Sequence, residues 1–159
     1  MSYRARHKVI LVVDDEDDVR ELLRVMLERE GYRVECARDG DEGLAVAKSL
    51  RPDLVITDHV MPGLSGKQLV RAMRETPALA VTPIIMVTGA PASEALSDAQ
   101  GAVDVKAFLP KPSTWKAIRE TVHACLGDKK SVGPPRDDVS TEIGKTLPGI
   151  GRGARRRGV

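Results

Sequence analysis

Short apolar runs alternate along this chain with longer segments of periodic hydrophobicity. Behind its lysine, Lys8–Val13 is unbroken aliphatic sequence, the pattern of a strand buried on both faces. From Asp17 or Asp18, either able to cap a helix, to about Glu30, apolar residues recur at Val19, Leu22, Leu23, Met26 and Leu27. That spacing puts them on one face of a helix, which Gly31 stops. Arg33–Ala37 alternates, as a strand nearer a sheet edge does. Asp39–Leu50 reads as a helix with Leu44, Ala47 and Leu50 inward, closed by Pro52. Leu54–Thr57 is a third strand. Met61–Gly66 is a Pro/Gly loop, and Ser65 or Gly66 opens a helix to about Thr76 on Leu69, Val70 and Met73. Pro83–Val87 is a fourth strand, and a helix is expected within Ser93–Val103. Ala107–Leu109 is the fifth strand. Ser113 is the expected cap of a last helix, to about Leu126, with Ile118, Val122 and Cys125 inward.

Five strands alternating with five helices predict an α/β fold with a parallel sheet. Right-handed crossovers place helices on both faces. Val9–Val13 and Leu54–Thr57, apolar on both sides, belong at the centre. Gly127 ends the last helix. Residues 128–159 contain six Gly, three Pro, no aromatic and no sustained apolar period. They predict a disordered tail on a domain spanning residues 1–127.

Composition narrows the class. Hydrophobic residues make up 42% and charged residues 30%, a soluble globular balance. Aromatics are only 3%, so the core must be aliphatic. No apolar run approaches the roughly 20 residues of a membrane span. The basic start Met1–Lys8 is followed by too short an apolar stretch for a signal peptide, which predicts a cytoplasmic protein. Cys36 and Cys125 lack metal-ligand spacing and read as buried or half-buried small apolar residues. The formal charge of +2 is uneven: residues 128–159 hold eight Lys/Arg against four acids, leaving residues 1–127 mildly acidic.

Candidate chemistry gathers at strand ends. Asp14 and Asp15 follow the first strand, Asp58 the third, Thr88 the fourth and Lys111 the fifth. Open parallel sheets place ligands at their C-terminal edge, where strand order reverses. Adjacent acids are commonly turn or cap residues, and Glu16, Asp17 and Asp18 favour that bland reading of Asp14-Asp15. Asp58 is more telling, because a strand-end carboxylate is either a turn former or a nucleophile that forms an aspartyl phosphate. Carboxylates, with water and phosphate oxygens, suit Mg²⁺. Lys111, held between Pro110 and Pro112, offers a phosphoryl oxygen a point charge. None of these is specific alone; the set, in this order, is. His7, His59 and His123 have no visible metal partners and read as ordinary histidines.

Residues about 7–127 resemble the receiver domain of two-component response regulators. The motifs that carry the resemblance are Val12-Val13-Asp14-Asp15, Asp58-His59-Val60-Met61-Pro62 with Gly66, Val87-Thr88-Gly89, and Phe108-Leu109-Pro110-Lys111-Pro112. The resemblance implies a flavodoxin-like five-stranded sheet in order 2-1-3-4-5. It implies Asp58 as phosphoacceptor, and Mg²⁺ held by Asp15, Asp58 and the Val60 backbone carbonyl, with Asp14 acting through water. Thr88 and Lys111 would contact the phosphoryl oxygens, and Phe108 would be the switch aromatic that follows Thr88. The Lys111–Pro112 peptide is expected to be cis. Val60 and Ala90, two residues past Asp58 and Thr88, would tune phosphoryl lifetime. The sequence departs from the family where Gly89 replaces a usual Ala, where Gly101 interrupts the fourth helix, and where Asp104-Val105 replaces the Gly-Ala that often precedes the fifth strand.

The implied function is a stand-alone receiver, not an enzyme acting on external substrates. It would take a phosphoryl group from a histidine kinase or histidine phosphotransfer protein and switch its binding to a downstream protein. A homodimer through the fourth helix, fifth strand and fifth helix is compatible with the family. A second reading is a nucleic-acid-associated regulator using Arg152–Arg157, but arginines without an interleaved aromatic support it weakly. A third, a phosphatase with an aspartyl intermediate, would want an acid two residues after the nucleophile, where this chain has Val60.

Overall fold

The computed structural model describes residues 6–91, 97–98, 101–102 and 104–127. The strands are β1 (Val9–Val13), β2 (Arg33–Ala37), β3 (Leu54–Asp58), β4 (Ile84–Thr88), the two-residue β5 (Ser97–Asp98) and β6 (Gly101–Ala102), and β7 (Ala107–Pro110). The helices are α1 (Asp17–Arg29), α2 (Gly40–Leu50), α3 (Gly66–Arg74) and α4 (Trp115–Leu126), with a 3₁₀ turn at Pro77–Leu79. The main sheet is entirely parallel in order β2-β1-β3-β4-β7, the expected 2-1-3-4-5 with β7 as its fifth strand.

The two faces carry separate cores. Ile10, Val12, Val34, Leu54, Ile56, Ile85 and Val87 project to one side, under Val19, Leu23, Met26 and Leu27 of α1 and Ile118 and Val122 of α4. Leu11, Val13, Val55, Ile84 and Met86 project to the other, under Ala47 of α2 and Leu69, Val70 and Met73 of α3. The period-2 alternation of strand side chains assigns consecutive residues to opposite cores. β1, β3 and β4 are buried at every position, which explains their unbroken apolar sequence.

Local expectations differ in three places. Glu16, not Asp17 or Asp18, is the residue before the first turn of α1, and Asp17 and Asp18 lie in that turn, near its positive end. Thr114, not Ser113, caps α4, its hydroxyl accepting from the Ala117 N–H at 3.1 Å. The Ser113 hydroxyl instead donates back to the Pro110 carbonyl. Within Ser93–Val103, where a fourth helix was expected, β5 and β6 pair antiparallel. Gly101, which costs about 1 kcal/mol inside a helix, works against helix here. The rest of that segment, and the tail expected at 128–159, lie outside the described residues. Trp115, 1% exposed, was not singled out from sequence, yet it fills the core on the α1/α4 side.

Candidate functional site

Parallel pairing brings the strand-end residues together. Val13 pairs with Thr57, so Asp14 and Asp58 come next, on adjacent strands at one sheet edge. Asp58 pairs with Val87, which places Thr88 one step beyond. Thr88 pairs with Pro110, and the Lys111 N–H donates to the Thr88 carbonyl at 2.8 Å. The Lys111–Pro112 peptide is cis, as expected.

Asp14, Asp15 and Asp58 each offer a carboxylate oxygen, and these lie within 4.8 Å of one another. The Lys111 ammonium donates to Asp58 Oδ2 at 2.9 Å and lies 3.7 Å from Asp14 Oδ2 and 3.9 Å from Glu16 Oε1. Asp14 is 4% exposed, and its carboxyl is pushed up to about 6. Burial is the main cause, opposed by the Glu16 N–H and the Lys111 charge and reinforced by the negative charges of Asp58 and Glu16. Burial also opposes the charge on Lys111, but Asp14, Asp58 and Glu16 outweigh it and raise its value. One ammonium among three carboxylates leaves excess negative charge at a buried edge. Hard oxygens this close fit a small divalent cation such as Mg²⁺.

The backbone around the acids is tightly fitted. The Asp14 N–H donates to the Ala37 carbonyl at 3.1 Å, and the Glu16 N–H donates to Asp14 Oδ1 at 2.9 Å. Arg20 Nη1 donates to the Asp14 carbonyl at 2.7 Å. The His59 N–H donates to Asp58 Oδ1 at 2.6 Å, and the Thr57 hydroxyl donates to the Asp58 carbonyl at 2.9 Å. Gly66 donates its N–H to the His59 carbonyl at 2.8 Å. A Cβ on Gly66 would lie far inside van der Waals contact distance of the Asp58 carbonyl oxygen and 2.9 Å from His59 Cα. Only glycine allows α3 to start this close to β3. The Ser65 hydroxyl and the Gln68 side chain close that helix start as a capping box.

A matching family model, the response regulator receiver domain, covers residues 10–123. The chain belongs to the response regulator receiver family. The protein PilH of Pseudomonas aeruginosa is 35% identical over 119 residues, which span 74% of this chain and 96% of PilH. Other curated relatives are longer; the matched part spans 43% of one and 55% of another. Among solved structures, the chemotaxis protein CheY4 of Vibrio cholerae has a TM-score of 0.70 at 33% identity, covering 76% of this chain and all of that one. The receiver domain of sensor histidine kinase PA1611 from Pseudomonas aeruginosa PAO1 has a TM-score of 0.68 at 25% identity, covering 77% of this chain and 100% of that one. That domain holds a magnesium ion coordinated in its active site cleft.

The receiver fold thus gathers Asp14, Asp15, Asp58 and Lys111, with Thr88 on the next strand. Thr88 is 1% exposed, and its hydroxyl accepts from the Ala90 N–H at 3.1 Å. Val60 is 67% exposed, in the loop after β3. Phe108 is half-buried, against the core on the α2/α3 side. His59 is buried beside Asp58. Cys36 and Cys125 are free and half-buried, their thiols raised by burial, as their spacing suggested. Sequence reasoning missed Glu16 and Arg20 as the groups that hold Asp14. Their signal was present, since both follow the Asp pair within one helical turn and a half.

Proposed function

We propose that this receiver accepts a phosphoryl group on Asp58 and uses it to change its affinity for a protein partner. The donor would be a phosphohistidine of a histidine kinase or a histidine phosphotransfer protein. The Asp58 carboxylate forms a P–O bond as the donor's P–N bond breaks, and the imidazole leaves with the bonding pair. The observation that carries this reading is the buried Asp58 carboxylate, tied to Lys111 at 2.9 Å and to the His59 N–H at 2.6 Å beside two further acids.

Each neighbour then has a task. Asp15, Asp58 and the Val60 carbonyl would hold Mg²⁺, with Asp14 acting through water. The bound ion would offset the charge of the acids and of the incoming phosphoryl oxygens. Lys111 is already poised at Asp58 and can pair with a phosphoryl oxygen as that group arrives. The Thr88 hydroxyl accepts from the Ala90 amide, which leaves its own proton to donate to the same group. Turning Thr88 toward the phosphoryl group would open room for Phe108, a shift between two packings that the phosphoryl group biases. The receiver changes only its own state and turns over no external substrate. Its proposed place is the cytoplasm. No helix among the described residues is long and apolar enough to cross a membrane.

The test is incubation with a small-molecule phosphodonor and Mg²⁺, read by intact mass. Wild type is expected to gain one phosphoryl group, and Asp58→Asn none. Uptake by Asp58→Asn at the wild-type rate would refute the assignment.

A further inference from the structure

Asp104 stands where a glycine often precedes the fifth strand, and its partner is Arg74, the last residue of α3. The Arg74 side chain is 18% exposed, and both Nη atoms of its guanidinium are hydrogen-bonded, whereas its buried Nε makes no hydrogen bond. Its Nη1 donates to the carbonyls of Leu79, Ala80 and Thr82 at 3.2, 3.2 and 2.8 Å. Its Nη2 donates to the Asp104 carbonyl at 3.1 Å, and its Nε lies 3.0 Å from Asp104 Oδ2. The planar guanidinium bonds carbonyls of two chain segments at once, with the Asp104 carboxylate beside it as a counter-charge. This clasp therefore ties the chain entering β4 and the chain entering β7 to the end of α3.

The same helix reaches the site at its other end. Gly66, the first residue of α3, lies against the Asp58–His59 backbone. Nine helical residues rise about 13 Å, and Leu69, Val70 and Met73 bury that rod in the core. β7 has less to hold it. None of its four residues is buried, and among the described residues it pairs only with β4. Its ladder opens at the Lys106 N–H on the Ile84 carbonyl, 2.8 Å, two residues after Asp104. It ends at the Lys111 N–H on the Thr88 carbonyl. Lys111 is thus placed by a lightly packed strand whose entry Arg74 fixes.

We propose that the Arg74–Asp104 clasp uses α3 as a ruler to place β7 relative to β3, so that Lys111 meets Asp58. Both are positioning residues; neither touches the acids. The chemical half of this inference rests on Asp58 being the phosphoacceptor.

The test uses the full chain with Asp104→Ala and Asp104→Asn. The Asp104 side chain is 77% exposed, so neither change threatens folding. Asp104→Ala is expected to slow phosphoryl uptake from a small phosphodonor at saturating Mg²⁺ by about three- to tenfold, a fraction of what larger misplacements cost. Mg²⁺ affinity should stay within about twofold, because the acids sit on β1 and β3. The Lys111 and Thr88 amide resonances should move without any phosphodonor present. Asp104→Asn keeps the side chain's size but removes its charge, so it should slow uptake to a similar extent. An Ala variant with wild-type rate and unmoved Lys111 resonance overturns the proposal. So does a fall in Mg²⁺ affinity as large as the fall in rate, or an Asn variant at the wild-type rate. Where wild type takes up no phosphoryl group, the phosphoacceptor reading fails by itself, and the Lys111 resonance still decides the clasp.

Discussion

Asp14 follows, and Asp58 ends, a strand whose five residues are all buried and which is hydrogen-bonded to neighbours on both sides, whereas Lys111 follows an edge strand with no buried residue. The site is therefore half fixed and half adjustable. On the acidic side the Asp14 N–H and carbonyl, the Asp58 carbonyl and the His59 N–H and carbonyl all have partners, and α3 is pressed onto β3 without room for a methyl group. On the other side Gly89 is exposed, and among the described residues a Cβ added there would meet only Lys111 Cβ, at 3.9 Å. Close-packed regions resist displacement, and lightly packed edges are where alternative arrangements are cheap. The difference fits the proposed switching, in which the acids stay in place while the lightly packed β7 side responds.

The largest expected effect breaks the fixed half. Gly66→Ala must push α3 off β3 or distort the Asp58–His59 backbone. A cost of about 3 kcal/mol is expected, the upper range for overpacking, seen as a lower midpoint in urea denaturation. Gly89→Ala, on the adjustable half, should change stability by less than about 0.5 kcal/mol. Equal costs at the two glycines would contradict the comparison.

A smaller effect tests the charge trapped in the fixed half. The folded value of Asp14 is about 6, against 3.8 for the ordinary carboxyl. The native state thus holds this proton more tightly than the unfolded chain. The resulting stabilisation is complete below about pH 4 and is lost as pH rises through 6. Metal-free Asp14→Asn should then be more stable than wild type at pH 7.5. At 1.36 kcal/mol per unit the shift corresponds to about 3 kcal/mol. Lys111 loses a partner in the variant, so a gain on the order of 2 kcal/mol is expected. Between pH 7.5 and pH 4 the gain should shrink steadily. Denaturation curves at several pH values, with a chelator present, check this. A gain that grows toward low pH would reverse the sign and refute burial as the cause.

Much of this was legible in sequence, and the parts that were not have physical reasons. Fully buried parallel strands announce themselves as aliphatic runs, so the limits of β1, β3 and β4 were read within one residue. The strand-end acids, Thr88 and Lys111 followed, because register in a parallel sheet turns strand ends into one edge. Cap positions were harder to read. Glu16, Asp17 and Asp18 can each begin a helix, and Ser113 and Thr114 are equally good caps. The choice is made by how the preceding strand ends. Gly66 carried a visible motif signal, but the close approach that requires it is a tertiary fact. The Arg74–Asp104 clasp joins residues thirty positions apart, and no local pattern encodes that. The helix expected within Ser93–Val103 followed from the strand–helix alternation, with no apolar face named for it, and the described part of that segment is an antiparallel pair.

The smallest expected effect concerns the mouth of the site, where one residue belongs to each half. Loss of a phosphoryl group from Asp58 requires a water in line behind it. Val60 follows the fixed half, and Ala90 follows the adjustable one. Neither side chain can hydrogen-bond a water or act as a base, so that water has no orienting partner from either residue. A comparatively long-lived aspartyl phosphate is the expected result. Val60→Asn or Val60→Glu supplies a polar group from a loop held by the Gly66 N–H on the His59 carbonyl, at 2.8 Å. Phosphate release at neutral pH with excess Mg²⁺ should speed up by about three- to tenfold, or about 1 kcal/mol in barrier. Ala90→Glu places its carboxylate on a segment anchored at this point by the Thr88 hydroxyl at 3.1 Å. Its acceleration should be smaller, because a less fixed group orients water less well. A wild-type half-life of seconds would end the claim of long life. Acceleration by Ala90→Glu larger than by Val60→Glu would show that the adjustable half is as well ordered at the mouth as the acidic one.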